Sequence, residues 1–418
     1  MPINYSRIST SAYPIFVYIM LVLFFFIKNP QALNFSYGDG GGRYADRVDS
    51  FSEGIVRNTI KRNILNKSDN SFFPIMTRGY SSGDYSYYED GYRKHTTNLS
   101  LQTVPATIIA KMLNINTERK LDIYFGVLRL INALSLAFFL CFFFFFFCKV
   151  QKIKHHFIIP FVIGGSAGFI FFSQNLYFAS ALMLMPASLI AFQLSRGNRC
   201  SKIPIFLLGV AYFLRGYEFA TIFALLTAFS AAIFANGDGR NKLKLSVIAF
   251  GIICLSFIFS VSTHVILVSA DSGWVLSLTE SAQKAFKSLQ YRTASLDGVP
   301  FPFGPQFVQK MNERWSTTAF SLTKESIKIT EMNVIMFIGF IAALRLKAMS
   351  NVERIIITYG VVGYLSWYIF AYQHIMWHVM YDWYIFSLTL GLAFSLLTII
   401  YINRAIEFAE KALLGKDR

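Results

Sequence analysis

The residues of this chain best able to do chemistry are a few charged and imidazole groups set beside long apolar stretches. Near the N-terminus, Tyr37-Gly38-Asp39-Gly40-Gly41-Gly42-Arg43-Tyr44-Ala45-Asp46 is followed by Ser52-Glu53-Gly54. Glycines on both sides of Asp39 allow the backbone to approach a bulky ligand. A carboxylate there can take the proton of a hydroxyl acceptor as general base, or hold a divalent cation. It can equally be a turn capped by the Asp side chain, leading into a helix from about Tyr44 to Ile64. On the local sequence both readings stand.

Two further constellations interrupt apolar surroundings. Arg215 and Glu218 break the stretch Phe206 to Phe234. Ionisable groups at such a place face a cavity or each other, because an isolated charge in hydrocarbon is costly. Arg215 can bind a phosphate through paired N–H donors, or the two residues can form a salt-bridged hairpin tip. His374 and His378 lie four apart beside Trp377, Tyr381 and Asp382, so in a helix their imidazoles share a face. They can bind a phosphate, an acceptor or, with further ligands, a metal, whereas the aromatic residues around them also suit an interfacial belt. There is no HExxH metal motif, Walker motif, GxGxxG fingerprint or nucleophile elbow.

The elements that carry these groups are membrane helices. Only 15% of the 418 residues are charged, and Leu121 to Cys148 includes six consecutive phenylalanines, Phe142 to Phe147, with only Asp122 and Arg129 charged. About 20 apolar residues cross the hydrocarbon core, and a soluble helix would show a polar face at a 3.6 period. The net charge of +16 does not point to nucleic acid, because the basic residues sit in short clusters between apolar runs. Cys141, Cys148, Cys200 and Cys254 all fall in apolar runs or basic turns, so the long polar segments have no disulfide framework.

The basic clusters set the orientation. Lys149, Lys152 and Lys154; Arg196, Arg199 and Lys202; Arg240, Lys242 and Lys244; Arg345, Lys347 and Arg354; and Arg404, Lys411, Lys416 and Arg418 can all be cytoplasmic if an even number of spans separates successive clusters. The expected fold is therefore all-α and integral to the membrane, with about ten transmembrane helices and both termini cytoplasmic. Residues 1–27 form the first helix and 28–120 a large external loop. Residues 121–269 hold helices two to seven, 270–330 a second external loop, and 331–418 helices eight to ten and the tail. In the second loop, Ser281 to Gln290 mixes basic and apolar residues, as in an amphipathic helix lying on a membrane or in a solvated charged loop. Tyrosines between Tyr80 and Tyr92 could stack on sugar rings.

With a first helix, a large external loop with an early acidic residue at Asp39, about ten helices and a second external loop, the chain resembles the GT-C class of membrane glycosyltransferases. In length and two-loop layout it is also similar to bacterial and phage O-antigen glucosyltransferases. It departs from many members of the class in lacking paired acidic residues, since Gly40 and Gly41 follow Asp39. The resemblance implies transfer of a sugar from a polyprenyl-phosphate donor to an envelope glycan such as lipopolysaccharide O-antigen, on the periplasmic face of the bacterial inner membrane. It implies Asp39 as the base, Arg215, His374, His378 and Arg292 around the donor phosphate, and Arg43, Glu53 and Glu218 at the substrate. It leaves the metal open, a divalent cation being the one cofactor to consider. The partners implied are the lipid-linked donor, a lipid-linked or lipopolysaccharide acceptor and membrane lipids.

Two other classes share parts of the pattern. An O-antigen polymerase also has many spans and two large external loops, but relies on arginines in both loops. A transporter or flippase would show internal repeats and ionisable residues at mid-membrane. The topology is testable. Reporter fusions at Ser71 and Gly298 are expected in the external compartment, and those at Lys152, Gly239 and Lys411 in the cytoplasm. A cytoplasmic signal from Ser71 would overturn the orientation.

Overall fold

The computed structural model describes residues 12–27, 50–65, 73–77, 92–94, 99–197, 200–293, 305–321, 328–345, 347–371 and 381–414. Within them the chain is almost wholly helical. Helix α1 is Ala12–Ile27, α2 Ser50–Leu65, α3 Thr103–Met112 and α4 Glu118–Val150. The bundle continues through α5 (Ile159–Gly164), α6 (Ala167–Phe172), α7 (Ala181–Ser195), α8 (Lys202–Arg215), α9 (Ala220–Phe234) and α10 (Gly239–Asp271). After α11 (Leu278–Thr293) and α12 (Pro305–Trp315) come α13 (Glu331–Arg345), α14 (Asn351–Phe370), α15 (Tyr381–Leu388) and α16 (Leu390–Leu414). Two short antiparallel pairs complete the fold: β1 (Ile75–Thr77) with β2 (Tyr92–Lys94), and β3 (Thr318–Phe320) with β4 (Ile329–Thr330).

Among the described residues, three segments are long and apolar enough to cross a membrane by themselves: Glu118–Val150, Gly239–Asp271 and Tyr381–Leu413. In its most apolar window, Tyr381–Leu413 is 78% buried inside the protein and Gly239–Asp271 only 28%. The first is therefore the centre of the bundle, and the second turns most of its apolar side chains outward, as a lipid-facing helix does. The expected loop helices are present in part. The segment from about Tyr44 to Ile64 is helical from Ser50, its first residues lying outside the described ones, and Ser281 to Gln290 falls within α11.

The two ends of the bundle differ in chemistry. At one end the basic turns meet the C-terminal helix. The Lys154 backbone N–H donates to Asn403 Oδ1 at 3.0 Å, Arg404 Nη1 lies 3.0 Å from Glu353 Oε1, and the Arg345 guanidinium sits over the Tyr401 ring. At the other end the first loop docks on the helix turns. Leu101 N–H donates to the Leu214 carbonyl at 3.1 Å, and Lys94 pairs with Asp271 at 2.8 Å. Helix α2 lies along α4 through three ion pairs in antiparallel register, Glu53 with Arg129, Arg57 with Asp122 and Lys61 with Glu118. The partners on α2 are spaced four residues apart, so they share one face.

Part of the second loop enters the bundle. The apolar run after His156 is broken at Gly164-Gly165-Ser166, which frees backbone groups that need partners inside the protein. Strand β3 supplies them. Ser321 N–H donates to the Gly165 carbonyl at 2.9 Å, Phe320 forms a bridge with Ser166, and the Phe320 ring packs on Phe394 of α16 at 5.2 Å. Beyond the break, Gly168 N–H donates to Ser387 Oγ at 3.0 Å, binding α6 to α15.

That close approach is testable. A methyl group at Gly168 would lie 2.1 Å from the Trp383 carbonyl oxygen, whereas one at Gly126 would meet nothing within 4 Å. Gly168→Ala is expected to cost about 1–3 kcal/mol through forced displacement and to lower the melting temperature of the detergent-solubilised protein. Gly126→Ala should leave it unchanged or slightly higher. Equal melting temperatures would contradict the α6–α15 packing.

Candidate functional site

Two buried charged clusters flank α15. The first lies where the turn between α6 and α7 meets the turn between α8 and α9. Arg215 ends α8 and is almost fully buried. Its Nη1 donates to the Tyr177 carbonyl at 3.1 Å, its Nη2 is 3.7 Å from Glu218 Oε2, and its guanidinium sits over the Tyr212 ring at 4.8 Å. Glu218 accepts from Tyr177 Oη at 2.7 Å, and its carbonyl accepts from Tyr212 Oη. Gly216 makes this possible, because a Cβ there would collide with Glu218 Oε2 as that side chain folds back to Arg215.

The turn is held in a strained form. Phe219 has φ +61° and Ala179 φ +42°, a region that side chains rarely adopt. Such conformations persist where packing over-determines them. The Phe219 ring is packed by Trp367 at 4.9 Å, Tyr384 at 5.4 Å and Tyr381 at 5.6 Å. Arg215 Nε is buried and has no hydrogen-bond partner among the described residues.

The second cluster lies on the other side of α15. Asp382 and Glu331, the latter opening α13, are both buried, and so is Arg314 of α12. Tyr368 Oη donates to Asp382 Oδ1, Tyr364 Oη lies 2.9 Å from Tyr368 Oη, and Tyr364 donates to Glu331 Oε2 at 3.4 Å. The two carboxyl groups interact with each other, and both feel the Arg314 charge. Glu331 Oε1 and Asp382 Oδ2 find no donor among the described residues. Two acceptors so placed can share a proton, or contribute oxygens to a hard cation that needs about six ligands in all. Among the described residues no group of three or more His, Cys, Asp or Glu is placed to hold a metal.

The sequence-predicted residues are distributed unevenly about these clusters. Arg215 and Glu218 are brought together as a pair. Glu53 instead pairs with Arg129, Nε to Oε1 at 2.9 Å, and so helps fix α2 on α4. Next to it, Ser52 Oγ lies 3.5 Å from Tyr381 Oη, which puts the start of α2 at the head of α15. Asp39, Arg43, His374 and His378 lie outside the described residues, and Arg292 falls on α11 with its side chain outside them. The flanking elements are described: Ser52, on the helix that follows the Asp39 segment, touches Tyr381, which directly follows the His374/His378 segment.

Sequence reasoning did not single out Glu331, Arg314, Tyr364 or Tyr368, and named Asp382 only as a neighbour of His374 and His378. Their partners come from α12, α13, α14 and α15, which are far apart in the chain. The available signal was Glu331 and Asp382, each a carboxylate at the edge of an apolar run.

Arg215→Met alone should leave Glu218 buried without its cation, at a cost of about 3–5 kcal/mol. Adding Glu218→Gln should recover most of that stability. Melting temperature and membrane abundance read both variants. A single variant as stable as the parent would contradict the buried pair.

No protein-family model matches the chain, and no curated protein sequence matches it. Among solved structures it is similar to the oligosaccharyltransferase of Archaeoglobus fulgidus in the apo form, with a TM-score of 0.50 and 14% identity over 98% of this chain and 52% of that one. The complex of the same protein with Zn and sulfate matches with a TM-score of 0.43 and 12% identity, over 96% of this chain and 51% of that one. The chain spans about half the length of these structures. The likeness to the apo form extends over nearly all of this chain and shows the fold alone.

Proposed function

We propose that this chain is a membrane glycosyltransferase that moves a sugar from a polyprenyl-phosphate donor to an envelope glycan. The observation that carries this is the oligosaccharyltransferase-like fold over nearly the whole chain. It is supported by the buried charged clusters on both sides of α15, at the end of the bundle where the loops dock. Charge held in a dry, shaped interior is the usual means of stabilising a transition state that develops charge.

In this reading Asp39 accepts the proton of the acceptor hydroxyl. The oxygen attacks the anomeric carbon of the donor, and the bond to the phosphate oxygen breaks with its electron pair leaving on the polyprenyl phosphate. Arg215, Arg292 and the turn carrying His374 and His378 neutralise that phosphate. Arg43 and Glu218 orient the sugars, while Glu53 acts by fixing α2 on α4. The clustered Glu331 and Asp382 supply the second acidic element that the sequence lacks beside Asp39. The donor enters already lipid-linked, so no nucleotide site is needed. We place the enzyme in the bacterial inner membrane, ten spans deep, with both termini cytoplasmic and lipopolysaccharide O-antigen as acceptor.

Asp39→Asn keeps the shape of the side chain and removes its charge. The expected loss of product is about a hundredfold to ten-thousandfold, measured as modified glycan in cells with membrane abundance checked by immunoblot. Asp46→Asn and Asp49→Asn, a few residues on, should keep near-normal product. Near-normal product from Asp39→Asn at normal abundance would remove the base and bring the polymerase reading forward.

A further inference from the structure

The phenylalanine run of α4 has no part in the reaction proposed above, yet it builds a groove. Tyr18 of α1, Phe138, Phe142 and Phe146 of α4, and Phe192 and Arg196 of α7 line a cavity of about 520 Å³, within the size range of ligand sites. The rings form a continuous wall. Tyr18 meets Phe138 at 6.4 Å, Phe138 stacks on Phe142 at 5.6 Å, and Phe142 and Phe146 each lie 5.7 Å from Phe192. At one mouth stands Arg196, the only charged residue among those lining the groove, its guanidinium 4.4 Å from the centre of the Phe192 ring. Arg196 is exposed and directly follows α7, at the end of the bundle where the basic turns gather.

The chemistry of the groove selects its occupant. Its wall belongs to α4, long and apolar enough to cross the bilayer, and to the shorter apolar helices α1 and α7 packed beside it, so an occupant from the lipid phase fits it. A partner transmembrane helix packs through small residues that let backbones approach, and this wall is built of large rings. A thin, flexible acyl chain fits between such rings, and a guanidinium at the mouth is suited to a phosphate through two parallel N–H bonds. We propose that the α1–α4–α7 groove binds an anionic phospholipid of the leaflet at the basic end, with one acyl chain along the phenylalanines and its phosphate on Arg196. The lipid is a fixed part of the folded protein and takes no part in transfer.

The full-length protein in detergent, titrated with phosphatidylglycerol and with phosphatidylcholine of the same chains, tests this by native mass spectrometry. Phosphatidylglycerol should bind about fivefold tighter or more, the effect of one cation near an anionic headgroup. R196Q should reduce that preference to near unity. F142W, which fills the groove with a larger ring, should weaken both lipids. K149Q, at the end of α4 and outside the groove, should keep the preference. The proposal is overturned if R196Q retains the preference, if K149Q loses it equally, or if F142W leaves both affinities unchanged.

Discussion

Buried charge organises the half of the molecule where the loops dock. A carboxylate or guanidinium withdrawn from water must be matched inside the protein, because in hydrocarbon nothing else will match it. Asp382 sets that requirement for α15, and the answer comes from three separate places: Tyr368 of α14, Glu331 at the start of α13, and Arg314 of α12. The second loop is thus tied to the centre of the bundle by electrostatics as well as by strand β3. The Arg215–Glu218 pair does the same for the turn between α8 and α9, where the carbonyl of Tyr177 completes the match. Tyr381 and Tyr384 lie between, so α15 is shared by both clusters.

The same rule governs backbone. A glycine-rich break in a membrane helix is tolerable only where other protein satisfies the freed groups. At Gly165 the satisfying group is Ser321 N–H, and at Gly168 it is Ser387 Oγ. The entry of β3 into the bundle is therefore a consequence of Gly164-Gly165-Ser166, and the close packing of α6 on α15 follows from Gly168.

Helices were legible in the sequence because their signal is local. The unbroken apolar run of α4, the turn at Arg215 and the amphipathic α11 each announce themselves within a short window. Arg215 and Glu218 were found for the same reason, being three residues apart in an otherwise apolar stretch. The second cluster was not, since it requires knowing that Arg314 of α12 lies within electrostatic reach of Asp382 of α15. The resemblance implied Glu53 as a substrate residue, and its pairing with Arg129 could not be seen without the α2–α4 register. The break at Gly164-Gly165-Ser166 was visible as letters but not as a docking point for β3.

Function depends on how far the fold argument reaches. At 14% identity the likeness fixes architecture, and the chain matches about half of the oligosaccharyltransferase. The direct measurement is transfer in proteoliposomes containing the purified full-length protein, a glucosyl polyprenyl phosphate and lipopolysaccharide acceptor, with no nucleotide sugar. The account predicts glycosylated acceptor and released polyprenyl phosphate in equal amounts. No transfer from the lipid-linked donor, with transfer from a nucleotide sugar supplied in its place, would contradict it.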